Sequence, residues 1–170
     1  MNKLLGCSLV LITTLVCVSS SFAAKVDIEW KNPENYRDII AGNTEGKTQF
    51  QRTLFKELGE AFTKGGSKLP EDYRLKVVML DIDLAGKVEQ GSPVAIRTVN
   101  DFDFPRLKFY MYLYNKSNEI VLQGAQNLKE KKDKHNAFRM KGSQTSFYLE
   151  KDLIKKWFDI ALIPRLAKLK

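Results

Sequence analysis

Cysteine and histidine are almost absent from this 170-residue chain. Its two cysteines, Cys7 and Cys17, lie within the first 18 residues, and His135 is its only histidine. Ordinary zinc sites need several such ligands, and a nucleophilic cysteine needs a base beside it, so the rest of the chain can build neither. A Ser-His-Asp triad would have to use His135, and no nucleophile-elbow motif supports one. We therefore expect no cofactor.

A long apolar run occurs only near the N-terminus. Lys3 provides a positive start, residues 4–18 are mostly apolar, and residues 19–24 are small or polar. These are the three parts of a secretory signal, and the run is too short to span a bilayer. We predict a signal peptide over residues 1–23, cleaved after Ala23, and a periplasmic location. A lipoprotein anchored at Cys17 is the alternative, although Val16 stands where a lipobox needs a small residue.

Residues 24–170 contain no cysteine, so they must fold as one domain around a hydrophobic core without disulfides. We expect no transmembrane segment in them, because no second apolar span follows. The chain has 28 Lys and Arg against 20 Asp and Glu, and loss of Lys3 with the signal leaves 27 against 20, a net charge of +7. This charge favours an anionic ligand or an envelope protein as partner and leaves peripheral membrane contact open. Simple solubility is the alternative explanation.

Apolar periodicity predicts an α+β fold for this domain. Alternating residues indicate strands over residues 26–30, 73–84, 104–114 and 119–128, with a short one over residues 94–99. Helical spacing indicates one helix that starts near Thr48 and another over residues 150–167. We predict that Gly65 and Gly66 end the first helix and that Pro164 kinks or shortens the second near its end. The element order predicts a single antiparallel sheet of four to five strands, with two helices packed mainly on one face.

Two Asp-x-Asp pairs are the first candidate site. Asp81 and Asp83 lie two residues apart near the end of the longest predicted strand, where alternation assigns them to the same face as Met79. Asp101 and Asp103 repeat this spacing. Together the pairs could hold a cation or share a proton, which would indicate a metal-assisted hydrolase. The alternative is that these aspartates order turns through local hydrogen bonds.

A basic and aromatic stripe is the second candidate. Along one predicted strand, alternation turns one set of side chains to the same side: Arg106, Lys108, Tyr110, Tyr112 and Tyr114. Tyrosines could stack on rings while the cations hold an anionic group. The strand lacks the glycines of an RNA-recognition motif, so we do not expect nucleic acid as the partner. Packing among the tyrosines is the alternative.

Two further basic features complete the survey. The segment over residues 129–146 contains a cluster of lysines and His135, and it could bind anionic head groups or be a solvated loop. The last predicted helix carries Trp157 and Phe158 between lysines. We expect this helix to cover the sheet, and binding to a membrane surface is the alternative.

Four short segments carry a resemblance to a known family. They are residues 32–34 (Asn-Pro-Glu), 81–86 (Asp-Ile-Asp-Leu-Ala-Gly), 103–106 (Asp-Phe-Pro-Arg) and 156–158 (Lys-Trp-Phe). Together they resemble the proteobacterial family known as domain of unknown function 3016, over nearly all of residues 24–170. The resemblance implies an exported protein of Gram-negative bacteria with no assigned activity, and it identifies no catalytic residue.

These observations favour a non-enzymatic envelope protein over an enzyme. We expect it to bind an anionic or protein partner through the tyrosine stripe or through the rim near Asp81, Asp83 and Arg106. A metal-assisted hydrolase that uses the aspartates is the alternative.

Overall fold

The computed structural model describes residues 25–42, 46–89, 95–100, 102–129 and 147–169. Six strands, β1 to β6, span Lys25–Trp30, Arg74–Asp83, Lys87–Val88, Arg97–Thr98, Arg106–Tyr114 and Ile120–Lys129. Three α-helices, α1 to α3, span Lys47–Gly66, Tyr148–Trp157 and Ile163–Ala167. A 3₁₀ turn covers Pro33–Asn35 and a π-helical turn covers Phe158–Leu162. In the described part of the chain, no helix is both long and apolar enough to cross a membrane.

The main sheet is mixed, so the prediction of a single antiparallel sheet is wrong. Its strand order is β1-β2-β5-β6, and β1 runs parallel to β2 while the other neighbours are antiparallel. Helix α1 connects β1 to β2 and returns the chain to the end of the sheet where β1 began, which makes the two strands parallel. Strands β3 and β4 form a separate two-stranded sheet. The α+β class itself is confirmed.

Alternation along β5 gives the sheet one buried face. Phe109 and Met111 are almost fully buried, whereas Tyr110 and Tyr112 between and beside them are partly exposed. The helices cover the buried face, and Phe62 of α1 contacts the ring of Phe109 at a centroid distance of 5.5 Å. Burial of each such side chain contributes about 1.5–3 kcal/mol, so this face supplies most of the stability that the domain gains without disulfides.

A β-bulge in β2 moves the acidic pair to the other face. Met79 pairs with Phe109 and Asp81 pairs with Lys108, which leaves Leu80 as an extra residue between them. Because one extra residue reverses the alternation, Asp81 and Asp83 do not share the face of Met79 as the sequence pattern predicts. Leu80 itself is 44% exposed.

Helix α1 begins at Lys47 and ends at Gly66, close to the bounds that the sequence predicts. Its N-cap is Gly46, and no side chain caps it. Gly65 and Gly66 are buried in the last turn, and neither has a positive φ. Near Pro164, the π-helical turn joins α2 to α3, and the N–H of Ile163 donates to the carbonyl of Phe158. The regular α-helix α2 therefore ends at Trp157, and Pro164 lies in the first turn of α3.

Two glycines of α1 offer a matched test of this packing. A Cβ on Gly65 would overlap the ring of Phe158, whereas a Cβ on Gly59 would meet nothing within 4 Å. We expect Gly65→Ala to lower the free energy of unfolding by about 1–3 kcal/mol, because overpacking outweighs the better helix propensity of alanine. Gly59→Ala should raise it by about 0.5–1 kcal/mol. Urea unfolding measures both, and a stabilising Gly65→Ala would contradict the packing described here.

Candidate functional site

The face of the main sheet opposite the helices carries the candidate residues of β2 and β5. We call it the open face, because none of its side chains belongs to the buried core of the described residues. Cross-strand pairing places Arg74 beside Tyr114, Lys76 beside Tyr112 and Val78 beside Tyr110. Its members on β5 and β6 are Arg106, Lys108, Tyr110, Tyr112, Tyr114, Gln123, Ala125, Asn127 and Lys129.

The three tyrosines pack on one another along β5. The rings of Tyr110 and Tyr112 have centroids 4.9 Å apart, and those of Tyr112 and Tyr114 are 6.4 Å apart and nearly parallel. The guanidinium of Arg74 lies 4.4 Å from the Tyr114 ring centroid and also donates to Asn118. Much of each ring face is therefore in contact with a neighbour, and less of it is available to stack on a planar ligand.

The chain after β1 extends along β2 and brings Arg37 beside Asp81 and Asp83. The hydroxyl of Tyr36 donates to the carbonyl of Met79 at 3.0 Å. Asp38 donates its N–H to the carbonyl of Ile82 and accepts from the N–H of Leu84. These bonds continue the parallel pairing of β1 past its end, and they place Arg37 beside β2.

Arg37 forms ion pairs with both aspartates of β2. Its backbone N–H donates to Asp81 at 2.8 Å, and its guanidinium lies 3.5 Å from Asp81 and donates to Asp83 at 3.1 Å. Lys108 adds a third contact to Asp81 at 3.9 Å. Because Arg37 and Lys108 already pair with these carboxylates, Asp81 and Asp83 hold the segment between β1 and α1 in place.

Asp103, the described member of the second acidic pair, stabilises a turn. The carboxylate of Asp103 accepts from the backbone N–H of Asn100 at 2.9 Å and from its side-chain amide at 3.2 Å. Asp101 lies outside the described residues. Where the structure describes the chain, no three or more His, Cys, Asp or Glu residues are grouped so that they could hold a metal ion. The hydrolase alternative is therefore not favoured.

A partly buried ion pair beside the open face was not foreseen from the sequence. Arg97 of β4 binds both carboxylate oxygens of Asp38, at 2.8 and 3.0 Å, and donates to the carbonyls of Ile40 and Gly86, both at 3.1 Å. Its side chain is only 15% exposed, and its Nε is buried without a hydrogen-bond partner among the described residues. The pair joins the segment after β1 to the turn after β2. No local pattern marks it, because 59 residues separate its two members.

Glu150 reinforces the same region from helix α2. Only 3% of Glu150 is exposed, and its carboxylate accepts a hydrogen bond of 2.8 Å from the backbone N–H of Ala85. Burial raises the pKa of Glu150, and the bond from Ala85 and the charge of Arg97 oppose that rise. Ionisation of Glu150 therefore destabilises the folded state, and the hydrogen bond from Ala85 offsets only part of this cost.

The helical elements fill structural roles. Trp157 and Phe158 are buried against the sheet, so the last helical segment covers it as expected. A groove of about 440 Å³ lies between α1 and α2, and an ion pair of 2.8 Å between Lys151 and Glu57 crosses it. His135 and residues 130–146 of the lysine-rich segment lie outside the described residues.

The pKa of Glu150 predicts how stability depends on pH. The unfolded pKa is near 4.5 and the folded pKa is higher, so between them the folded state binds more protons and stability falls as pH rises. Glu150→Gln keeps an oxygen for the N–H of Ala85 and removes the titration. We expect the variant to gain stability relative to the wild type as pH rises above 4.5 and to show no advantage well below it. Urea unfolding across this range measures the difference, and parallel curves would refute the prediction.

Comparisons with known proteins find one family. A family model described as protein of unknown function (DUF3016) matches residues 24–160. No curated protein matches the chain. A solved structure titled minor lipoprotein from Acinetobacter baumannii is 11% identical over 86% of this chain and 94% of its own, with a TM-score of 0.25. A score this low carries no argument about fold or function.

Proposed function

We propose that this chain, which belongs to the DUF3016 family of proteins of unknown function, is an exported, non-enzymatic envelope protein. In this proposal it works in the periplasm and binds an anionic or protein partner through the open face. The proposal combines the signal sequence predicted over residues 1–23 with the chemistry of the sheet surface.

The observation that supports the proposal is that the candidate residues of β2 and β5 share one surface, which none of the described helices covers. The three tyrosines, Arg106 and Lys108 occupy alternate positions of β5, opposite the side that the helices bury. The bulge at Leu80 adds the ion-paired carboxylates of β2 to the same surface. A surface with aligned aromatic and polar groups on rigid strands is suited to hold a partner without large rearrangement.

Charge favours an anionic group at one end of this surface. Arg106 lies directly between Asp83 on β2 and Lys129 on β6, and Arg37 already pairs with Asp83. Two cations in direct cross-strand register repel each other, and an anion bound between them would relieve that repulsion. The tyrosine end carries Arg74 and Lys76, of which Lys76 pairs with Glu29, and its aromatic rings support contact with the rest of the partner.

Neutral substitutions test the surface. We expect Arg106→Gln combined with Lys108→Gln to weaken binding to envelope components by about tenfold or more, since each charged hydrogen bond contributes about 1.5–3 kcal/mol. Glutamine avoids placing a new negative charge beside Asp81 and Asp83. Recovery of bound material from solubilised envelopes, at low and high salt, measures the loss.

Lys64→Gln combined with Lys168→Gln is the matched control. Both lysines are exposed on the helical side, and their replacement changes the net charge by the same amount. The control should bind like the wild type. Equal losses in the two double variants would mean that only overall charge matters, and no loss in either would refute the open face as the binding surface.

A further inference from the structure

Strand β6 is an unprotected edge of the main sheet. It pairs with β5 on one side, and no other described segment pairs with it on the other. A free edge exposes a row of backbone N–H and C=O groups, and proteins usually protect such edges with charges, proline or bulges. From Ile120 to Leu128 the strand contains no charged residue and no proline, and its register shift lies next to the hairpin. This edge is therefore suited to pair with a further strand.

The opposite edge of the sheet is protected. Lys25, Asp27 and Glu29 occupy alternate positions of β1, and all three are exposed. An incoming strand would lie against these charges, which is one of the ways in which proteins prevent pairing at an edge. The contrast between the two edges identifies β6 as the one that a partner can extend.

The charges at the two ends of β6 indicate which strand it accepts. Glu119 precedes the strand and Lys129 ends it, and both are exposed. When two identical strands pair antiparallel about a two-fold axis, each end of one strand meets the opposite end of the other. An axis at Gly124, midway between the two charges, places Glu119 of each copy opposite Lys129 of the other. The strand is therefore complementary to itself.

We infer that the protein forms a symmetric dimer in which the β6 strands of two copies pair antiparallel. The two four-stranded sheets then join into one continuous sheet. Residues directly opposite each other in an antiparallel pair share a face, so the open faces of the two copies lie on the same side. The dimer thus presents two tyrosine stripes on one surface. This inference goes beyond the proposed function and does not depend on it.

Reversal of the end charges tests the pairing. In analytical ultracentrifugation, the protein without its predicted signal sequence should form a dimer at micromolar to millimolar concentrations. Lys129→Glu places two carboxylates opposite each other at both ends of the interface, so we expect the dissociation constant to rise about tenfold. Glu119→Lys should weaken the dimer in the same way. Glu119→Lys combined with Lys129→Glu restores opposite charges and should return the constant close to the wild-type value.

Lys64→Glu is the control, because Lys64 is exposed on α1 and its reversal changes the net charge by the same amount as Lys129→Glu. It should dimerise like the wild type. Hydrogen exchange of the wild type at low and high concentration locates the interface, because amides on the outer side of β6 should gain protection only in the dimer. A protein that stays monomeric at millimolar concentration would overturn the inference. So would a dimer that is insensitive to the end charges, or one that leaves the exchange of the β6 amides unchanged.

Discussion

The alternation of apolar and polar side chains along β5 is the constraint on which the rest of the structure depends. Phe109 and Met111 enter the core under Phe62 and Trp157, and the same pleat turns Tyr110 and Tyr112 to the other side. A shift of register by one residue would bury the tyrosines and expose the core, so the buried face and the open face are fixed together. In a chain without disulfides after residue 24, this one packed face must stabilise the whole domain.

The β-bulge in β2 then determines where the charged side chains of this strand lie. The bulge at Leu80 keeps Ile82 in the core while it moves Asp81 and Asp83 beside Lys108 and Arg106. There the carboxylates form ion pairs with Arg37 and stabilise the segment between β1 and α1. Acidic residues whose spacing resembles a catalytic pair thus form ion pairs that stabilise the fold.

Local sequence patterns predict the elements and miss the contacts between distant segments. Strands β2, β5 and β6 and both long helices follow from periodicity, because each presents one apolar side to the core. The parallel pairing of β1 does not, since it is set by the crossover through α1. The ion pairs of Arg37 with Asp81 and of Arg97 with Asp38 join residues more than 40 positions apart, and no spacing rule reveals them. Gly65 illustrates the same limit, because the sequence predicts the end of α1 there but not the close packing of Gly65 against Phe158.

Hydroxyl-radical footprinting of the native protein tests the two-faced sheet most directly. Tyr110, Tyr112 and Tyr114 alternate with Phe109, Met111 and Leu113 on a single strand, so each reactive residue has a neighbour of the opposite face as an internal reference. The structure predicts oxidation of the tyrosines together with protection of Met111 and Phe109, relative to the unfolded chain. Tyrosines as protected as Met111 would contradict an open face and remove the surface on which the proposed binding rests.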